Sequence, residues 1–260
     1  MWQSDGWGAR ARIGILMGHF DIGPEAEFSA MAPNGVTIHS TRVRIGVSMP
    51  STVTDPRIAL TPIRAFAEPP AIDDAAELLA AAPLHAIAYG FFSSSYVLGK
   101  DGDQALQARL EKRTHGIPVI IPGLAAVLAL RTLGVRRLAL IDPPWFSAEL
   151  SQMGAEYFRS QQIDVVYAAP ATALPNSQHD QHPARLHEWV RTQVPPNAEA
   201  VLIGGNGFRA VGAIDALEQD LGRPVLTANS ATFWNALRAA GIFAPVAHYG
   251  RIFAEPLPAD

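Results

Sequence analysis

The chain has 260 residues, 48% hydrophobic and 17% charged, enough to bury one sizeable core or two smaller ones and too apolar for a disordered or fibrous protein. With 20 basic against 24 acidic residues and a net charge of −4, it lacks the concentrated positive field that nucleic-acid phosphates require, so no nucleic-acid partner is expected. The cysteine count of zero excludes disulfides, Cys-ligated zinc, iron–sulfur clusters and any thiolate nucleophile or thiol proton carrier.

The N-terminal residues lack a basic segment followed by an apolar one, so no export signal and a cytoplasmic location are expected. The longest apolar stretches, 13–17, 83–92 and 117–130, are broken by Gly, Pro or polar residues and predict no membrane span.

Taken in chain order, short β-rich runs alternate with segments of helical period. Residues 12–17 precede a helix over 24–31, and 86–90 precede one over 104–113. In the same way 138–141 precede 147–161, and 201–203 precede 210–221. This alternation predicts βα units on parallel sheets, an α/β fold. Residues 13–17 and 200–203 are apolar throughout, as strands covered on both faces are. Polar, Pro-containing stretches at 48–56 and 168–183 predict loops.

An internal repeat organises the elements. Leu110-Glu-Lys-Arg-Thr-His-Gly-Ile-Pro-Val119, continuing to Ala129-Leu-Arg-Thr-Leu-Gly134, matches Leu217-Glu-Gln-Asp-Leu-Gly-Arg-Pro-Val225, continuing to Ala236-Leu-Arg-Ala-Ala-Gly241. Each copy reads as a helix end, a Gly stop, a Pro-opened strand and a second helix. A strand ending in a turn precedes both: Gly90-Phe-Phe-Ser-Ser-Ser95 in one, Gly204-Gly-Asn-Gly207 in the other. Ligands of open α/β sheets bind outside the carboxyl ends of the strands, so four loops become candidates for one cleft: 18–23, 91–95, 142–145 and 204–209.

Within these loops, Gly205, Asn206 and Gly207 suit a backbone nest for a carboxylate or developing oxyanion, or a tight strand-to-helix turn. The spacing is neither that of a dinucleotide fingerprint nor that of a P-loop. Ser93, Ser94 and Ser95 after Phe91 and Phe92 offer hydroxyls to a ligand or cap the next helix. His19 and Asp21 are candidates for general acid or base, with a helix cap as the other reading of Asp21. Asp142 and Trp145 flank a rigid Pro pair, and Asn229 lies between a strand and a helix. Tyr89 suits core or cleft equally. His179, His182 and His187 lie in a polar stretch without acidic partners at ligand spacing, so no metal is expected there. His248 and Tyr249 read as packing or interface residues.

Arg12-Ile-Gly-Ile-Leu, Met31-Ala-Pro-Asn-Gly-Val36, Thr41-Arg-Val43, Ala86-Ile-Ala-Tyr-Gly90 and Ser93-Ser-Ser95 occur in an order that is itself informative. Gly134-Val-Arg-Arg-Leu-Ala-Leu140, Leu221-Gly-Arg-Pro-Val225, Asn229, Phe233-Trp234 and Tyr249-Gly-Arg-Ile-Phe253 continue it. Together they resemble the aspartate/glutamate racemase superfamily, in its branch of maleate cis-trans isomerases and arylmalonate decarboxylases, over nearly the whole chain.

The resemblance implies two Rossmann-like halves with parallel sheets related by pseudo-twofold symmetry, and an active-site cleft between them. The halves expected are residues 1–116 with 225–260, and 117–224. It also implies chemistry without cofactor or metal on a small-molecule substrate, and a homo-oligomer, for which the apolar stretch 242–246 offers an interface. The cysteine positions of relatives align with Phe91 and Gly205, the asparagine of their first-loop carboxylate motif with Asp21, and a carboxylate-holding tyrosine with the neighbourhood of Pro144 and Trp145.

The expected function is therefore a cofactor-independent lyase or isomerase acting on a small carboxylate- or carbonyl-bearing molecule. His19 or Asp21 would move the proton, and Phe91, Phe92, Ser93, Ser94, Ser95, Gly205, Asn206, Gly207, Asp142, Trp145 and Asn229 would bind substrate. The alternatives are a non-catalytic binding protein on the same fold and a hydrolase using Asp21-activated water.

Overall fold

The computed structural model describes residues 5–44 and 58–257; the loop expected at 48–56 lies outside them. Strand β1 (Ala11–Gly18) leads into α1 (Gly23–Met31), then β2 (Val36–Val43), α2 (Leu60–Ala67), α3 (Ala71–Ala80) and β3 (Ala86–Gly90). Helix α4 (Ser93–Arg113), β4 (Val119–Ile120) and α5 (Pro122–Thr132) complete a first βα series. The second comprises β5 (Arg137–Asp142), α6 (Ala148–Arg159), β6 (Asp164–Pro170), α7 (Pro183–Gln193), β7 (Ala200–Ile203), α8 (Ile214–Leu221), β8 (Val225–Thr227) and α9 (Ala228–Ala239).

The strands form two four-stranded sheets, ordered β2-β1-β3-β4 and β6-β5-β7-β8, and every pairing is parallel. The second order is the first with four added to each strand number, which is the repeat seen in the sequence. The central strands are sealed on both faces: Ile13, Ile15 and Leu16 of β1 and Leu138, Leu140 and Ile141 of β5 have no exposed surface. That burial explains their unbroken apolar character.

Three expectations change. The division at 117 and 225 does not follow the sheets, because β4 pairs with β3 in the first sheet and β8 with β7 in the second. The following helix α9 crosses over to pack on β3 and β4, so sheet membership changes just before it. The helix expected from 104 begins at Ser93 and kinks at Gly99, which places the serine triplet in a first helical turn instead of an open loop. The stretch expected as a loop from 168 contributes Ala168, Ala169 and Pro170 to β6, opposite Leu140, Ile141 and Asp142. Pro170 is tolerated because β6 is an edge strand.

Among the described residues no helix is long and apolar enough to cross a membrane.

Candidate active site

The carboxyl ends of the two sheets face one another. Across the gap the Phe92 N–H donates to Asn206 Oδ1 at 2.6 Å, and Ala210 N–H donates to Glu27 Oε1 at 2.7 Å. The turns of the repeat therefore meet, and a cavity of about 290 Å³ lies between them. Its wall is largely aromatic, made by Phe20, Phe91, Phe92, Trp145 and Phe146 with Ile58, while Asp21, Ser93, Asn176, Gln178, His179 and the 205–207 turn supply its polar groups.

Asp21 stands at the start of α1 and also in the cavity wall. Oδ1 accepts the Gly23 N–H at 2.9 Å, satisfying the first N–H of α1 from the residue before its N-cap, Ile22. Oδ2 stands on the side of the 205–207 turn, about 3.0 Å from where a β-carbon on Gly207 would lie. Arg42 on β2 anchors the loop by donating to the Asp21 carbonyl, while its other arm pairs with Glu25 at 2.7 Å. Burial pushes the Asp21 carboxyl up to about 6, against the Gly23 N–H and the attraction of Arg42 and His179.

Of the other expected site residues, Phe91, Phe92, Ser93, Trp145, Gly205, Asn206 and Gly207 line the cavity. Phe91 packs at a tilt against Phe66, with ring centroids 4.4 Å apart, and Trp145 lies edge-on to Phe208. At Gly205 and Gly207 only backbone can face the space. Gly205 has φ +76°, the left-handed region that favours glycine.

Five expected residues are placed elsewhere. His19 is exposed, its ring edge-on to Phe20, and it is absent from the cavity wall. Ser94 and Ser95 follow the helical rotation into the interior, where Ser94 shares a hydrogen bond with Tyr89 at 2.8 Å and Ser95 Oγ accepts the Gly123 N–H at 3.2 Å. Tyr89 is thus a core residue. Asp142 is fully buried behind the turn, with Oδ1 accepting from Tyr96 at 2.9 Å, and burial pushes its carboxyl up to about 7. Asn229 is also buried, joined to Asn206 and Glu27. Burial pushes Glu27 up to about 7 as well, against the donors Asn229, Ala210 and Val211.

Phe20, Ile58 and Phe146 are apolar wall residues outside the expected set, and the polar residues that the sequence missed come from one loop. Asn176, Gln178 and His179 follow β6, and their position at a strand end was hidden because Tyr167-Ala-Ala-Pro170 looks like coil. The three histidines of this region diverge: His179 faces the cavity, His182 Nδ1 accepts the Ala184 N–H at the start of α7, and His187 pairs with Asp220 at 3.0 Å. Among the described residues no three His, Cys, Asp or Glu side chains converge as a metal-binding group.

Two four-stranded parallel sheets related by an internal repeat, with a cavity between their strand ends, define a two-half α/β fold with a shared cleft. The family model for arylmalonate decarboxylase matches residues 69–253, and the chain belongs to that family.

Among curated relatives it is 27% identical to the arylmalonate decarboxylase of Bordetella bronchiseptica over 167 residues, 63% of this chain and 68% of the relative. It is 23% identical to the maleate isomerase of Alcaligenes faecalis over 240 residues, 90% of this chain and 89% of the relative. Among solved structures, a variant of the maleate isomerase Iso from Pseudomonas putida S16 with maleate superposes with a TM-score of 0.81 at 20% identity, covering 94% of this chain and 97% of that one. An arylmalonate decarboxylase structure gives 0.75 at 23% identity, covering 94% and 99%. The fold expected from the sequence is the fold observed, and these relatives are isomerases and decarboxylases.

Proposed function

We propose that this protein is an isomerase- or lyase-type enzyme acting on a small molecule that carries a carboxylate or carbonyl next to the reacting carbon and a flat apolar substituent. Asp21 moves the proton. The observation that carries this reading is the Asp21 carboxyl in the cavity wall beside the 205–207 turn, with a pKa raised by burial to about 6, where both protonation states are accessible near neutral pH.

In the ionised form Asp21 takes the proton from the carbon next to the carbonyl. The C–H electron pair becomes the C=C bond of an enolate, and the negative charge moves to oxygen. The Ser93 hydroxyl and the backbone of the 205–207 turn lie on the same cavity and suit that oxygen, each such donor contributing roughly 3 kcal/mol. Return of the proton from the neutral acid regenerates Asp21. When a carboxylate leaves as carbon dioxide instead, neutral Asp21 delivers its proton to the enolate carbon. The aromatic wall accommodates the apolar substituent.

The chain contains no cysteine, so neither route uses a thiol. The expectation that His19 shares the work gives way to His179, the histidine that lines the cavity and attracts the Asp21 carboxylate.

The test is proton NMR in D₂O with a panel of aryl-substituted and simple acids, together with their esters and amides. Deuterium incorporation or conversion by the natural protein, abolished in Asp21→Asn with folding retained, is the expected result. Turnover unchanged in Asp21→Asn removes Asp21 from the mechanism. Ligand-induced shifts without exchange would instead select the binding-protein reading, in which holding the first N–H of α1 is the whole role of Asp21.

A further inference from the structure

Glu27 takes no part in the proton transfer above, yet it is only 6% exposed and lies where the two halves meet. Its Oε1 accepts the N–H groups of Ala210 at 2.7 Å and Val211 at 3.1 Å, and its Oε2 accepts from Asn229 Nδ2 at 2.6 Å. Three donors converge on it, which suits an ionised carboxylate, an acceptor only.

That polarity dictates the orientation of everything downstream. Asn229 must turn its NH₂ toward Glu27, and the same nitrogen donates to the Asn206 carbonyl at 2.8 Å. Asn229 Oδ1 must then face Asn206, accepting from Asn206 Nδ2 at 2.8 Å. Asn206 is left with Oδ1 toward the opposite half, where it accepts the Phe92 N–H at 2.6 Å. One carboxylate thus sets the direction of two amide side chains in series, and the series ends on a turn that Glu27 does not touch.

We propose that Glu27 is a positioning residue: through Asn229 and Asn206 it locks the 204–207 turn to the Phe91-Phe92 turn across the cleft and so fixes the cavity between them. The proposal rests on the reading above only in taking that cavity as the reaction site. The physical reason is directional. A glutamine at 27 offers one acceptor and one donor. With its oxygen on the Ala210 and Val211 N–H groups, its NH₂ faces the NH₂ of Asn229. Relieving that clash reverses both amides in turn and sets an NH₂ against the Phe92 N–H, a donor against a donor.

The test is hydrogen–deuterium exchange on the full, ligand-free chain at pH 8, comparing the natural protein with Glu27→Gln, Asn206→Ala and the double variant. The expected result is that Phe92 N–H exchange accelerates by about tenfold or more in each single variant and no further in the double, while the Ile15 and Leu140 amides at the sheet centres are unchanged. Unchanged Phe92 exchange in Glu27→Gln overturns the proposal. So does an additive increase in the double variant, or a uniform rise that includes Ile15 and Leu140, which would mark Glu27 as a general stability residue.

With a turned-over substrate, Glu27→Gln is expected to lower kcat about tenfold while KM stays within about threefold, again without additivity to Asn206→Ala. A fall in KM-dependent binding alone, with kcat retained, contradicts a positioning role. If the natural protein turns over nothing, the proposed reaction fails, and the exchange result still decides the role of Glu27.

Discussion

The Oδ2 atom of Asp21 stands 3.0 Å from the point where a β-carbon on Gly207 would lie, so the one acid among the described residues of the cavity wall is in contact range of the 205–207 turn. A methyl at 207 would also come within 2.2 Å of Gln178 Nε2, the end of a flexible side chain that can swing away. Gly207→Ala is therefore expected to fold with stability within about 1 kcal/mol of the natural protein and to lose turnover by tenfold or more. Denaturant unfolding and the D₂O assay, run on the same sample, check the two halves of this expectation.

Gly205 predicts the opposite balance. Its φ of +76° is strained for any side chain, and a β-carbon would sit 2.3 Å from Cγ of Pro143, whose ring cannot swing away. Gly205→Ala should destabilise the fold by about 2–4 kcal/mol, combining left-handed backbone strain with overpacking. Gly205→Cys should do the same, so placing a thiol at this position requires Pro143 to move. A urea midpoint within experimental scatter of the natural protein would contradict both statements.

Two histidines separate the expectation from sequence from the observed geometry. His179 lines the cavity and His19 does not. His179→Ala is expected to slow deuterium incorporation about tenfold or more, whereas His19→Ala leaves it within about twofold. Equal loss in both variants would return His19 to the mechanism.

Four buried acids make stability pH-dependent in one direction. Burial raises Asp21 and Asp103 to about 6 and Glu27 and Asp142 to about 7, all above their values in an unfolded chain. The folded state therefore prefers the protonated forms. Their contribution is complete below about pH 4 and is lost as pH rises through the folded values to about 7. For Asp142 the interval from pH 5 to pH 7 corresponds to about 2 kcal/mol, since the slope of 1.36 kcal/mol per pH unit falls off as the folded carboxyl ionises near pH 7. Asp142→Asn keeps an oxygen for the Tyr96 hydroxyl and removes this titration, so its unfolding free energy should fall less steeply between pH 5 and 8 than that of the natural protein. Parallel slopes in the two proteins would show that Asp142 does not titrate in this range.

The activity profile has its own sign. Proton abstraction requires ionised Asp21, so exchange at the substrate carbon should rise through about pH 6, and Asp21→Asn should show none across the range. Initial rates of deuterium incorporation from pH 4.5 to 8 measure it.

Much of the fold was legible because it follows from local pattern. Continuous apolar strands such as 13–17 announce burial on two faces, and the Gly-Ile-Pro-Val and Gly-Arg-Pro-Val stops reveal the repeat that the two sheet orders obey. The elements that escaped notice, α2, α3, α7, β2 and β6, carry weaker signals. In β2 the sequence Val-Thr-Ile-His-Ser-Thr-Arg-Val is polar at five of eight positions, and it holds its place by pairing with β1 at the sheet edge.

The sequence alone determined the βα alternation, the duplication, the absence of thiol chemistry and the four strand-end loops around which a site had to form, since these depend on residue types and their period along the chain. Only the tertiary structure decided which side chains enter the cavity. A rotation of about 100° per residue in the first turn of α4 admits Ser93 and buries Ser94 and Ser95. The return of β6 to the same sheet edge brings His179 to the site in place of His19. Both choices depend on directions in space between segments far apart in the chain, and no local periodicity encodes those directions.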